Sequence, residues 1–305
     1  MKKYIVTLLI TLLASVAHAE TVKIGAGSSD GEYANIIVLA INDALQEYGY
    51  SAVAETSAGT QEDIEKVMSG QIVAALTQLD VAALNMTYEK DPNENLLLLW
   101  GRIAPKALFC VAHQGGRVAT YDELTDDEQD TPFKVSVGDE KGGTALTFQY
   151  LMKLDPALKN ITFQHKGKTR VEINRLISGR RDLVCFLTMP DPENELIRGV
   201  MEHDELFFIS FDNPAFDKAK IGKNRIYEVV EVPVTRGFWG FNQKKVKTIV
   251  TWVGMVVNEN QIDERLLDAL STVVMKPELL EGNTLTGKAK RVFDKILTRV
   301  EEWVD

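Results

Sequence analysis

The chain has 305 residues, 45% hydrophobic and 26% charged, with 34 Lys+Arg against 44 Asp+Glu and a net charge of −10. This is a globular composition, which excludes a largely disordered chain, and the length corresponds to roughly two domains at about 150 residues each. Nucleic acid is excluded as the main partner, because neutralising phosphates takes clustered Lys/Arg and no such run occurs.

Residues 1–19, MKKYIVTLLITLLASVAHA, read as a cleaved signal peptide. Lys2 and Lys3 form a positive n-region, and Ile5 to Val16 form an apolar stretch shorter than the about 20 residues a bilayer crossing takes. Ala17-His18-Ala19 is an A-x-A cleavage site, so Glu20 is the expected mature N-terminus. No Cys follows it to carry a lipid. The longest later apolar stretch, Ile249–Val257, is about half a membrane span. An exported, soluble, periplasmic chain is expected.

The middle of the chain repeats a pattern. Its first copy is strand Val22–Gly25, glycine loop Gly27–Gly31, helix Tyr33–Tyr48, strand Ala52–Glu55, helix Gln61–Met68 and strand Ile72–Leu76. The second is strand Lys134–Val137, loop Gly138–Gly143, helix Thr144–Leu154, strand Ile161–Gln164, helix Val171–Ile177 and strand Leu183–Leu187. Ile37, Ile41, Ala44, Leu45 and Tyr48 form one stripe at the helical period. Ser69-Gly70 and Ser178-Gly179 each place a glycine where a helix ends in a left-handed residue. The segment Leu96–His113 joins the copies. After them come an acidic strand Tyr227–Val232, an apolar strand Thr251–Val257, and two amphipathic helices, one carrying Leu266 to Val274 and one Val292 to Trp303. Alternating strands and helices predict an α/β fold with parallel sheets in two lobes.

Cys110 and Cys185 are the only cysteines, both in apolar strand-like runs. An oxidising compartment permits a bond, but pairing is not legible in sequence, and buried free thiols are the favoured reading.

Open α/β sheets bind ligands where strands end and helices begin, because helix N-termini offer free N–H groups and partial positive charge. Loops Gly27–Gly31, Thr56–Thr60, Gly142–Thr144 and Lys166–Thr169 qualify. Helix capping alone is the competing explanation for each hydroxyl residue. Gln78 and Asp80 follow a buried strand, and Pro190 holds the matching place in the second copy. Arg236-Gly237-Phe238-Trp239-Gly240 sets aromatics between glycines.

Sharper motifs fare worse. Gly25 to Gly31 spells G-x-G-x-x-x-G, one residue longer than the dinucleotide fingerprint. Gly27-Ser28-Ser29-Asp30-Gly31 fits G-x-S-x-G, but a hydrolase using Ser29 needs a histidine base, and His113, His165 and His203 lie in no telling context. No metal or Walker motif occurs, so no cofactor is expected.

Taken in order, these residues resemble a known family. The series is a Gly/Ser loop with Tyr33, Ser57-Ala58-Gly59-Thr60, Ser69-Gly70, Gln78-Leu79-Asp80-Val81-Ala82, Val135 to Gly138, Gly143-Thr144, Ser178 to Asp182, and Pro190. It is similar to the TAXI family of extracytoplasmic solute receptors of TRAP transporters, over nearly the whole chain after the leader. The resemblance implies a type II periplasmic-binding-protein fold: two α/β lobes with a ligand cleft between them, lobe I from residues 20–107 plus 251–305 and lobe II from 108–250. It places the Cys110 strand beside the Cys185 strand, where a bond is geometrically conceivable. It implies capture of a small organic solute, a carboxylate or amino acid, for a membrane permease of TRAP type. The ligand set is Ser28, Ser29, Tyr33, Ser57, Gly59, Thr60, Gln78, Asp80, Gly143, Thr144, Pro190, Phe238 and Trp239. An orphan receptor serving a sensor protein is the alternative output. The chain departs from the family at Asp30 and Glu32, acids beside an expected anion site, and at Phe238, where the family often has Tyr. Those departures weigh against a plain dicarboxylate.

Overall fold

The computed structural model describes residues 19–86, 96–237 and 242–276. The leader, Phe238, Trp239 and the expected helix Val292–Trp303 lie outside the described residues. The first repeat runs β1 (Glu20–Gly25), a π-helical turn Tyr33–Ile37 continuing as α1 (Val38–Leu45), β2 (Tyr50–Glu55), α2 (Thr60–Met68), β3 (Ala74–Gln78) and α3 (Leu79–Asn85). β4 (Leu96–His113) leads to α4 (Tyr121–Leu124), β5 (Phe133–Ser136), α5 (Gly143–Leu154), β6 (Ile161–Gln164), α6 (Thr169–Ile177) and β7 (Leu183–Thr188). Then come α7 (Glu195–Met201), β8 (Leu206–Ile209), a small hairpin of β9 (Lys220–Ile221) and β10 (Asn224–Arg225), β11 (Tyr227–Pro233), β12 (Lys245–Asn258) and α8 (Glu264–Met275).

The helix faces follow the sequence period. Ile37, Ile41 and Leu45 are fully buried against β1 and β2 residues such as Ile24 and Tyr50. The two Ser-Gly stops are built alike. Gly70 N–H donates to Val67 O and Gln71 N–H to Lys66 O, while Gly179 N–H donates to Leu176 O and Arg180 N–H to Arg175 O. Both glycines are left-handed, at φ +75° and +69°, which completes a Schellman motif at each helix end. The first motif explains a correction. Strand β3 starts at Ala74, two residues later than expected, because Gln71 and Ile72 are still bonded back to Lys66 O. It therefore ends at Gln78 and runs straight into α3, a helix absent from the elements predicted above.

The two repeats have the same strand order. Parallel β2-β1-β3 continues into antiparallel β12, and parallel β6-β5-β7 continues into antiparallel β4. β4 and β12 pair with each other, and each runs on through both halves of the sheet. Their register slips between Val253 and Met255 of β12, where the chain passes from one half to the other. Pro105 of β4, which has no N–H to donate, sits beside this irregularity. Each half keeps its own core, one around Ile24, Ile41 and Leu270, the other around Phe109, Phe133, Phe148 and Tyr227.

The cysteines correct the free-thiol reading. Cys110 of β4 stands directly opposite Cys185 of β7, with Cα atoms 4.1 Å apart, and the two are bonded. Sequence shows two apolar strands but not that they are neighbours in this register. The bond closes a loop of 75 residues, and such a closure is worth about 4 kcal/mol through the unfolded chain. Thiol titration of the unfolded, unreduced protein is therefore expected to find none. The double variant Cys110→Ala/Cys185→Ala is expected to lose about 4 kcal/mol in equilibrium urea unfolding.

Candidate functional site

The carboxyl ends of the parallel strands in both halves face one another across a cavity of about 280 Å³. Loops after β1 and β2 supply Gly27, Ser28, Glu32, Tyr33, Gly59 and Thr60. Gln78 comes from the end of β3 and Lys106 from β4, and the opposite wall is Asp139, Gly142, Gly143, Thr144 and Leu187. The walls touch. Gln61 N–H donates to Lys141 O at 3.3 Å, and any Cβ at Gly59 would lie 2.4 Å from that same carbonyl oxygen. Only glycine allows this approach. At the rim, Lys168 pairs with Asp30 at 3.0 Å and Lys141 with Glu65 at 3.6 Å.

Two helices that enter the cavity lack side-chain caps. α2 begins at Gly59 and α5 at Gly142, neither with a capping side chain. α4, α7 and α8 are capped by Thr120, Asn194 and Asp263, while α3 and α6, like α2 and α5, have no side-chain cap. Thr144 does not cap α5 either; its hydroxyl accepts from Leu187 N–H across to β7. Uncapped first turns leave backbone N–H groups and the positive end of the helix dipole available to an anionic group.

Charge in the wall is arranged in one tight group. Glu32 receives Lys106 Nζ, Thr188 Oγ1 at 2.8 Å and Met189 N–H at 3.3 Å. Burial alone would raise its carboxyl, but the Lys106 ammonium and these hydrogen bonds override that and hold it below its ordinary value. Lys106 also lies 5.1 Å from the Tyr33 ring centroid, over its face. Two residues of the cavity wall, Tyr33 and Gln78, each hold a buried polar atom with no hydrogen-bond partner among the described residues, Tyr33 Oη and Gln78 Oε1. Burial and the neighbouring carboxylates push the Tyr33 phenol well above its ordinary value, so it stays a donor.

No protein-family model and no curated protein matches the chain. Solved structures do. The substrate-binding protein of an amino acid ABC transporter aligns at 12% identity over 91% of this chain and 99% of its own, with a TM-score of 0.50. A Xanthomonas citri protein solved with ATP aligns at 9% identity over 94% of this chain and 100% of its own, with a TM-score of 0.51. Alignments of this length take in both halves of the sheet. The chain has the periplasmic-binding-protein fold.

In this fold the cleft between the lobes is the shared space, and the expected ligand residues divide around it. Ser28, Tyr33, Gly59, Thr60, Gln78, Gly143 and Thr144 line the cavity. Four others do not. Ser29 sits on an exposed turn, and among the described hydrogen bonds none joins its hydroxyl to a histidine. Ser57 is turned back on Gly59, bonding its N–H and its carbonyl. Asp80 is fully buried in the first turn of α3, where it accepts from Thr147 and Tyr227 and braces the two lobes. Burial raises its carboxyl above its ordinary value, and those bonds offset that only in part. Pro190 is buried in the turn after β7, whose bond from Asn194 N–H to Asp191 O carries the chain away from the cavity. Phe238 and Trp239 lie outside the described residues. Glu32, Lys106, Asp139 and Leu187 line the cavity without belonging to the expected set. The one sequence signal for Lys106 is a lone cation inside the apolar run Ile103–Ala112.

A second, larger hollow of about 480 Å³ lies between α6 and α7 on the outer face of the second lobe. It is away from the strand ends, and its rim charges are already paired as Arg170–Glu195 and Arg198–Glu202. The cleft is the better site.

The Glu32–Lys106 pair yields a stability prediction. Lys106→Met leaves Glu32 buried without its cation, expected to cost about 3 kcal/mol at pH 7. In the wild type the depressed Glu32 carboxyl contributes stability fully above its ordinary value of 4.5, and the contribution is lost as pH falls below it. In the variant, burial is opposed only by the Thr188 and Met189 hydrogen bonds, so the carboxyl rises relative to the wild type and the penalty shrinks as pH falls. Urea unfolding of both proteins at pH 7 and pH 4 is expected to show the gap narrowing.

Proposed function

We propose that the chain is an extracytoplasmic solute receptor that holds a small organic solute, a carboxylate or amino acid, between its lobes and delivers it to a membrane permease. The carrying observation is the cavity of about 280 Å³ on which the uncapped N-termini of α2 and α5 converge. Such N-termini are ready-made carboxylate sites, and the cavity suits a small organic solute. On this reading residues 20–107 plus 251–305 form lobe I, 108–250 form lobe II, and residues 1–19 are removed on export to the periplasm. Among the described residues no helix is long and apolar enough to cross a membrane.

Closure follows from binding. A carboxylate bridging α2 and α5 favours the joined lobes, and the closed form is what a permease recognises. The likeness in motif order to the TAXI family supports a TRAP-type permease as partner. The structural neighbour from an amino acid ABC transporter supports the solute class more than the permease type. On this reading the donors and acceptors of the cleft serve to bind the solute.

A thermal-shift screen of the refolded chain against monocarboxylates, dicarboxylates, amino acids and sugars tests this. A solute at 100 times its Kd adds about 2.7 kcal/mol, expected as a rise of roughly 5 °C for a carboxylate-bearing solute. Gly143→Val, which fills the cavity against Gln78, is expected to weaken that binding at least about tenfold with unchanged circular dichroism. A panel in which no carboxylate shifts the protein overturns the reading.

A further inference from the structure

We infer that the mouth of the cleft is shut by two latches at equivalent places in the two repeats, one of backbone and one of charge: Lys141 against Gly59 and Gln61, and Asp30 against Lys168. The inference rests on the receptor reading above for the use of closure, which governs entry and release of the solute. Its test does not need the solute.

The equivalence is built residue by residue. The loop after β1 runs Gly27 to Gly31, and the loop after β5 runs Gly138 to Gly142. Each opens on a left-handed glycine, at φ +63° and +73°. Each ends in the same turn: Gly31 N–H donates to Ser28 O and Gly142 N–H to Asp139 O, both at 3.0 Å. Asp30 and Lys141 therefore hold one place in the two loops. α2 begins at Thr60 after Gly59, and α6 begins at Thr169 after Lys168. Gly59 and Lys168 therefore hold one place in the two helices. Each loop reaches the helix start of the other repeat, so Lys141 meets Gly59 and Asp30 meets Lys168.

The chemistry of the two contacts differs. At the backbone latch a Cβ on Gly59 would lie 2.4 Å from Lys141 O, so glycine is what lets the walls meet. The same carbonyl accepts Gln61 N–H at 3.3 Å, a first-turn donor that α2 cannot satisfy itself and no side chain caps. Lys141 Nζ adds an ion pair to Glu65 at 3.6 Å. At the charge latch Lys168 Nζ stands 3.0 Å from Asp30, which also accepts from the Ser28 hydroxyl. Ser28, Gly31, Gly59 and Gly142 line the cavity, so both latches sit at its edge and parting the walls breaks both. Exposed ion pairs add little to the stability of a fold. These act instead on the meeting of the walls, because each joins one repeat to the other.

The Gln61 amide reports closure, because Lys141 O is its partner only while the walls touch. The Asp63 amide is the control: it donates to Gly59 O within α2, so it reports fraying of the helix alone. Hydrogen exchange of both is followed by NMR in the refolded chain, first alone and then saturated with any solute a screen supplies. Lys168 has no described bond to α2 or to Lys141, yet Lys168→Glu is expected to lower Gln61 protection at least about threefold, with Asp63 unchanged. The swap Asp30→Lys/Lys168→Glu is expected to restore it. Gly59→Ala is expected to abolish it; if that variant does not fold, the charge swap still decides. Free exchange of Gln61 in both states of the wild type, or protection unmoved in a folded Lys168→Glu, overturns the latches and leaves the receptor reading standing. A screen that supplies no solute counts against the receptor reading, and the chain alone then decides the latches.

Discussion

The antiparallel pairing of β4 with β12 is the constraint on which the rest of the molecule depends. Each strand is long enough to serve both halves of the sheet, so one ladder joins two copies of the same β-α-β-α-β unit. Parallel strands in each copy end on the side of the cleft, and the crossover ladder makes those ends face each other. Glycine loops, helix N-termini and Gln78 reach one space because of that arrangement. The slip in register between Val253 and Met255 marks where the ladder changes halves.

Across this frame the chain places charge sparingly. Rim pairs such as Lys168–Asp30 are exposed and contribute little to stability. The buried Glu32–Lys106 pair is different, because its carboxylate also takes Thr188 Oγ1 and Met189 N–H from the second lobe. One side chain next to the π-helical turn thus ties the first lobe, a crossover strand and the second lobe together. Such π turns recur at functional sites, and here the turn carries Tyr33 to the cavity wall. Asp80 makes the matching brace through Thr147 and Tyr227.

Local signals carry most of the fold. The stripe Ile37, Ile41, Leu45 and the twin Ser-Gly stops are contacts within one element or one turn, so the sequence displays them directly. The strand order 2-1-3 in each copy and the direct opposition of Cys110 and Cys185 are pairings at a distance, and composition says nothing of register. The site divides in the same way. Glycine loops at strand ends are legible and bring Ser28, Gly59, Thr60, Gly143 and Thr144 to the cavity. Asp80 looks like a ligand residue in the sequence because the partners that make it a brace lie 67 and 147 residues away. Glu32 reads as an unfavourable acid near an anion site because its cation lies 74 residues on, in a strand that otherwise reads as core.

The central claim is that the free N-termini of α2 and α5 hold the solute's carboxylate. Amide chemical-shift mapping of the uniformly ¹⁵N-labelled, deuterated chain during titration with the solute found by screening tests it most directly. The account predicts the largest downfield movements at Thr60, Gly143 and Thr144, the amides that would donate to a carboxylate. Movements concentrated instead around Asn174, Gly199 and His203, in the hollow between α6 and α7, would contradict it.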